Sequence, residues 1–263
     1  MIGVGCPQGL TEKGFRLAER RHYKNAPIEN ALIDVQVLPA ALVDLALLAA
    51  PPAEIREKYP ESRPVISGNA QINLGMVSSA NFQPSQIGYF RGSPSGPSSF
   101  QVRQNGLTAN RSRPYESWEV LLGDFMELWN WFSAVTQVAR ITRIGVRYVN
   151  RFLLPQPGED FRRFFTTLPT IGDGLPGGLA TFGMQLQIPV PESSDIVILN
   201  EAMPPFAQGE APSVILDIDV VRPIPMAGSM AGSDVEKVLN TLHAIENKFF
   251  EDSITDVTRE LIK

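Results

Sequence analysis

The chain has 263 residues, of which 43% are hydrophobic and 19% charged, and its formal net charge is −5. That apolar content is enough for a full core, while the acidic balance disfavours sequence-independent nucleic-acid binding, whose affinity comes from neutralising phosphates. The single cysteine, Cys6, excludes an intrachain disulfide, and the two distant histidines, His22 and His243, offer no metal-ligand spacing.

Residues 1–22 read as an N-terminal extension, either a loose arm or a short helix capped by Thr11, ahead of an α+β unit over 23–263. The start lacks a basic stretch followed by a long apolar run, so no signal peptide is expected. The first strand is expected over 28–38, where Ala31, Ile33, Val35 and Val37 alternate with Asn30, Asp34 and Gln36. An apolar helix is expected over 40–50; at 11 residues, with Asp44 inside it, it does not suit a membrane. A short polar helix follows over 53–59 and stops at Pro60. Strands are expected over 65–74, 86–91 and 99–104, and Asn105-Gly106 is a tight turn into Leu107–Arg111. Ser117 then caps the strongest helix of the chain. Its stripe of Trp118, Leu121, Leu122, Phe125, Leu128, Trp129, Phe132 and Val135 is a core face.

The stretch ITRIGVRYVNRFLL, 141–154, reads as a strand with Ile144, Val146, Tyr148, Asn150 and Phe152 on one face and Arg143, Arg147 and Arg151 on the other. A short helix is expected over 159–168. In the loop 171–178, Gly172, Gly174 and Gly177 have dinucleotide-fingerprint spacing, but a proline interrupts them and a strand follows, so no cofactor is expected. Strands are expected over 180–190, 195–203 and 213–221. The last long helix begins at a capping box of Ser233 and Glu236, with Val235, Val238, Leu239, Leu242, Ile245 and Phe249 as its buried stripe. Ser253 and Asp256 open a final helical turn.

This order gives two sequential β-α-β-β-β-α halves, 23–138 and 139–263. The expected fold is α+β, a mainly antiparallel curved sheet with long helices on one face, arranged as in TATA-binding-protein-like or helix-grip folds.

The motifs YKNAPIENALIDVQV (23–37, containing NAPIENALID), RPYESWE (113–119), ITRIGVRYVNR (141–151), SVILDIDV (213–220) and KFFEDSITD (248–256, ending in SITD) stand in this order. Together they resemble a sporadically distributed bacterial family of about this length that has no assigned function. The resemblance runs from about residue 21 to the C-terminus. It implies a bacterial, cytoplasmic domain and supplies no catalytic residue. A scattered distribution is common among mobile and defence-linked genes.

Residues four apart on one strand face lie roughly 13 Å apart, so Arg143, Arg147 and Arg151 do not converge on one small anion. They suit three salt bridges or an extended partner. Asp217 and Asp219 share one face of 213–221, and Asp34 lies on the polar face of 28–38. If these strands are neighbours, a carboxylate–guanidinium ladder forms across them. The other reading makes the polar face a recognition surface, with Arg91, Arg103, Arg111 and Arg113 extending it and Tyr115 and Trp118 stacking on bases. A third is a metal-dependent hydrolase or nuclease, with Asp217 and Asp219 binding a cation together with Asp34 or Glu201. The reading adopted is a non-enzymatic binding protein. Its partner is a protein or nucleic acid, not a membrane, and self-association is left open.

Overall fold

The computed structural model describes residues 21–73, 79–94, 96–155, 160–170, 172, 181–205, 211–224 and 234–263, with backbone only at 69–73 and 79–83. Cys6, Thr11, Ser233 and nearly all of the glycine loop at 171–178 lie outside these residues, as does almost all of the N-terminal extension.

Among the described residues, nine antiparallel strands form one sheet: β1 (Ile28–Pro39), β2 (Glu61–Asn73), β3 (Ser79–Gly92), β4 (Ser98–Arg103), β5 (Gly106–Ser112), β6 (Val138–Leu153), β7 (Phe182–Pro189), β8 (Ile196–Met203) and β9 (Ser213–Pro223). Their spatial order is β2-β3-β4-β5-β1-β6-β9-β8-β7. The first strand of each half therefore meets the other at the centre, β1 against β6, with Ile33 opposite Val146 and Asp34 opposite Gly145. β2 and β7 are the outermost strands, and each contains a proline, Pro64 and Pro189.

Alternation decides which face is buried. Residues directly opposite in an antiparallel pair point to the same side. Ala31, Ile33, Val35 and Val37 of β1 therefore share a face with Ile144, Val146, Tyr148 and Phe152 of β6 and with Val214, Leu216, Ile218 and Val220 of β9; all are buried. Helix α3 (Trp118–Thr136) covers this face over β1 and β5, and α4 (Val235–Ser253) covers it over β6 and β9. Among the described residues, every helix packs on this side. Ser117 caps α3 by accepting a hydrogen bond from the Val120 amide, and the helix ends at Gln137, whose φ of 46° turns the chain into β6. Gly88 marks the tightest approach within the sheet, because a Cβ there would stand 2.0 Å from the Val102 carbonyl oxygen.

Three expected helices differ in extent, and the strand expected over 86–91 runs the length of β3. The helix expected over 40–50 is only α1 (Leu45–Ala49), followed by α2 (Ala53–Lys58). Asp44 is not inside it but caps it, accepting from the Ala46 amide, so the chain before it is irregular and Leu42 lies 93% exposed. The helix expected over 159–168 is a single 3-10 turn, Phe161–Arg163. Phe164 and Phe165 leave it to enter the core, where Phe165 bridges Ile254 and packs edge-on to Phe152. The last helix, α5 (Asp256–Leu261), is capped by Thr255 and not by Ser253. No described helix is long and apolar enough to cross a membrane.

Candidate functional site: an ion-paired sheet face and a cavity behind it

The arginines of β6 stand on the face away from the helices, and two of them are matched by aspartates. Arg143 donates from Nη1 to Asp34 Oδ2 on β1 at 2.7 Å and from Nη2 to Asp219 Oδ2 on β9 at 3.1 Å. One guanidinium thus links three strands. Its path depends on Gly145, which sits opposite Asp34: a Cβ there would come within 3.1–3.3 Å of three guanidinium atoms of Arg143. Asp34 Oδ1 also accepts from Arg103 Nη2 on β4 and from Thr108 Oγ1 on β5. Arg147 grips Asp217 through Nε and Nη2 at 2.7 and 2.6 Å, a bidentate geometry that fixes both side chains. Asn200 on β8 reaches the same carboxylate, and Gln185 on β7 reaches Asn200. Every strand from β4 to β7 in the spatial order contributes a group to this face.

Charge on the ladder cancels. Arg103, Arg143 and Arg147 face Asp34, Asp217 and Asp219. Partial burial pushes the Asp219 carboxyl up, against the pull of Arg143 and Arg147. The bond to Asp217 raises Arg147 further. Arg151 is exposed and meets no carboxylate among the described residues, and next to it on the same face Leu153 is 67% exposed.

The other expected members of the patch lie elsewhere. Arg111 shares the parity of Leu107 and Ala109 and points under the sheet, where it binds Ser98 Oγ, Asp124 of α3 and Glu116. Arg91 also lies on the helix side and caps the ends of α1 and α2 through the carbonyls of Ala49 and Tyr59. Arg113 pairs with Glu29 just past the end of β5. Tyr115 hydrogen-bonds its hydroxyl to that of Tyr148, and Trp118 donates its indole N–H to Asn240 of α4, so neither ring stacks over the arginine face. Glu201 alternates to the buried side of β8, opposite Met184 and Leu216, and cannot share a cation with Asp217 and Asp219. Among the described residues, no cluster of three or more His, Cys, Asp or Glu side chains is arranged to hold a metal ion.

Behind the sheet lies a cavity of about 620 Å³ bounded by α4, β6, the start of α3 and the segment 21–28. Its inner wall contains Trp118, Tyr148, Asn150, His243 and Glu246, all buried. Trp118 stacks on His243 at 4.2 Å with an interplanar angle of 12°, and the Tyr148 ring stacks on the same imidazole at 5.6 Å and 28°. Burial pushes the Glu246 carboxyl up to about 8. Sequence periodicity contained a signal for this residue: Glu246 follows Leu239 and Leu242 by seven and four positions and so falls on the buried stripe of α4.

Searches against protein-family models, curated proteins and solved structures found no match for this chain.

Proposed function

We propose that the chain is a non-enzymatic interaction module that docks a protein on the helix-free face of its sheet, on a scaffold of the TATA-binding-protein-like or helix-grip kind. The supporting observation is the ladder itself. A face whose cations are already matched by carboxylates has little unpaired positive charge for phosphates, but it presents a fixed pattern of donors, acceptors and apolar side chains. Locked side chains also lose less freedom on binding, which favours a rigid protein surface as partner. Arg151 and Leu153, both exposed at the edge of the pattern, are its natural anchors. The metal-dependent alternative is supported less, because both oxygens of Asp217 accept from Arg147 and Asp219 accepts from Arg143. The family resemblance supports a partner from a bacterial cytoplasm, and the scattered distribution it implies supports a mobile or defence-linked gene context.

The test is affinity capture from the native host with the wild-type chain and with an Arg151→Glu/Leu153→Glu double variant. The expected result is a protein retained by the wild type and lost by the variant, with the two melting temperatures equal. A partner retained equally by both removes this face from the interaction. Capture of nucleic acid that weakens steeply with added salt would replace the protein partner by a phosphate backbone.

A further inference from the structure

We propose that the cavity between α4, β6, the start of α3 and the segment 21–28 binds a compact organic cation, an amine carrying an aromatic or aliphatic body, with its ammonium on Glu246. This inference concerns the side of the sheet opposite the proposed protein-docking face and stands independently of it.

Size is the first support, since about 620 Å³ lies within the range of small-ligand sites. Glu246 is the second. It is 3% exposed and lines the cavity, and no hydrogen bond or neighbouring charge among the described residues offsets its burial. A buried carboxyl without a partner is costly to keep, and a cation in the cavity would supply the missing charge and donors. The other acidic groups of the wall are already engaged. Glu251 accepts from Tyr23 at 2.7 Å and from Arg259 at 2.8 Å, and Glu116 accepts from Arg111 at 2.5 Å.

The walls are the third support. Tyr115, Trp118, Tyr148 and Phe250 line the same cavity. Aromatic faces attract ammonium groups and their alkyl substituents, more strongly when water is excluded. An anion is served poorly here. Of the basic groups that line the cavity, Arg113 is matched by Glu29 and Arg21 by Glu251, while His22 and Lys24 are exposed on the segment 21–28.

The experiment uses full-length protein and four probes: benzyltrimethylammonium and benzylamine as cations, benzyl alcohol as a neutral control and benzoate as an anionic one. Binding is read by calorimetry and by the shift in melting temperature. Both cations are expected to bind at millimolar concentration or better, and benzoate not to bind. Glu246→Gln is expected to weaken the cations by at least about tenfold and to leave benzyl alcohol unchanged, with the circular dichroism spectrum intact. The site is overturned if neither cation binds, if benzoate binds as well as benzylamine, or if the Gln variant holds the cations as the wild type does. Should that variant lose its fold, Tyr115→Ala at the cavity wall decides, and cation affinity equal to wild type there overturns the site.

Discussion

A methyl group at position 145 would stand 3.1 Å from Nη1 of Arg143 and 3.3 Å from its Cζ. Gly145→Ala should therefore push that guanidinium off its path and break its bond to Asp34, Asp219 or both. Alanine normally gains over glycine in a strand, so a net loss of about 1 kcal/mol, a fall of roughly 2–4 °C in the melting temperature, would show that the displaced ion pairs outweigh the backbone gain. A rise in melting temperature would mean the ladder adds little. Glu246 gives a pH signature. Its carboxyl is held at about 8 in the folded chain against an ordinary value of 4.5. Between these values the unfolded chain releases a proton that the folded chain keeps, so stability falls as pH rises through that window. Glu201, also raised to about 8 by burial, acts in the same direction. Glu246→Gln should thus gain stability relative to wild type as pH goes from 5 to 8, measured by urea unfolding at both values. At this scale the sequence carried parity and little else. Parity put Arg143 and Arg147 on the face opposite Val146 and Tyr148, and it also marks Arg111 as a partner of Leu107 and Ala109, under the sheet. Parity does not say which carboxylate lies across a strand, because that depends on the register of segments far apart in the chain.

Elements were legible where one signal dominated. α3 has a cap, a continuous apolar stripe and a left-handed stop, and its limits follow from them. Ser117→Ala removes the acceptor for the Val120 amide and should cost about 1 kcal/mol in a denaturant titration, with the slope unchanged. The helices fasten to one another and to the sheet by buried polar links. Trp118 donates to Asn240 across α3 and α4 at 2.8 Å, and Arg111 ties β5 to Asp124 at 3.0 Å. Arg111→Ala leaves Asp124 with Lys58 as its remaining cation, 40% exposed, in place of a buried arginine. A loss of several kcal/mol, within the roughly 3–5 kcal/mol of a broken buried pair, is expected in the same titration. Segments 40–50 and 159–168 were misread for one shared reason. Apolar content does not distinguish a helix from irregular chain that buries a few large side chains: at 40–50 the helix-starting carboxylate, Asp44, sits late in the apolar run, and at 159–168 the turn begun by Asp160 ends where Phe164 and Phe165 enter the core.

At the scale of the molecule, the two halves share one sheet through β1 and β6, whose facing residues lie 99 to 122 positions apart in sequence. Each half has its own alternating strands and long helix, and those patterns gave the α+β class. The junction between halves has no local signal, and neither has the cavity, whose wall is assembled from residues near 23, 115, 148 and 246. Because β1 and β6 each lean on the other, fragments 1–137 and 138–263 expressed separately should lack cooperative unfolding, and mixing them should restore it, as followed by near-ultraviolet circular dichroism. Independent cooperative melting of either fragment would show that the halves stand alone. Among the described residues the sheet also ends, at β2 and β7, instead of closing on itself. A proline in each rim strand, Pro64 and Pro189, removes an amide donor from an otherwise continuous row. A foreign chain zipping along either rim meets a missing rung there, so this wide sheet makes a poor template for filaments.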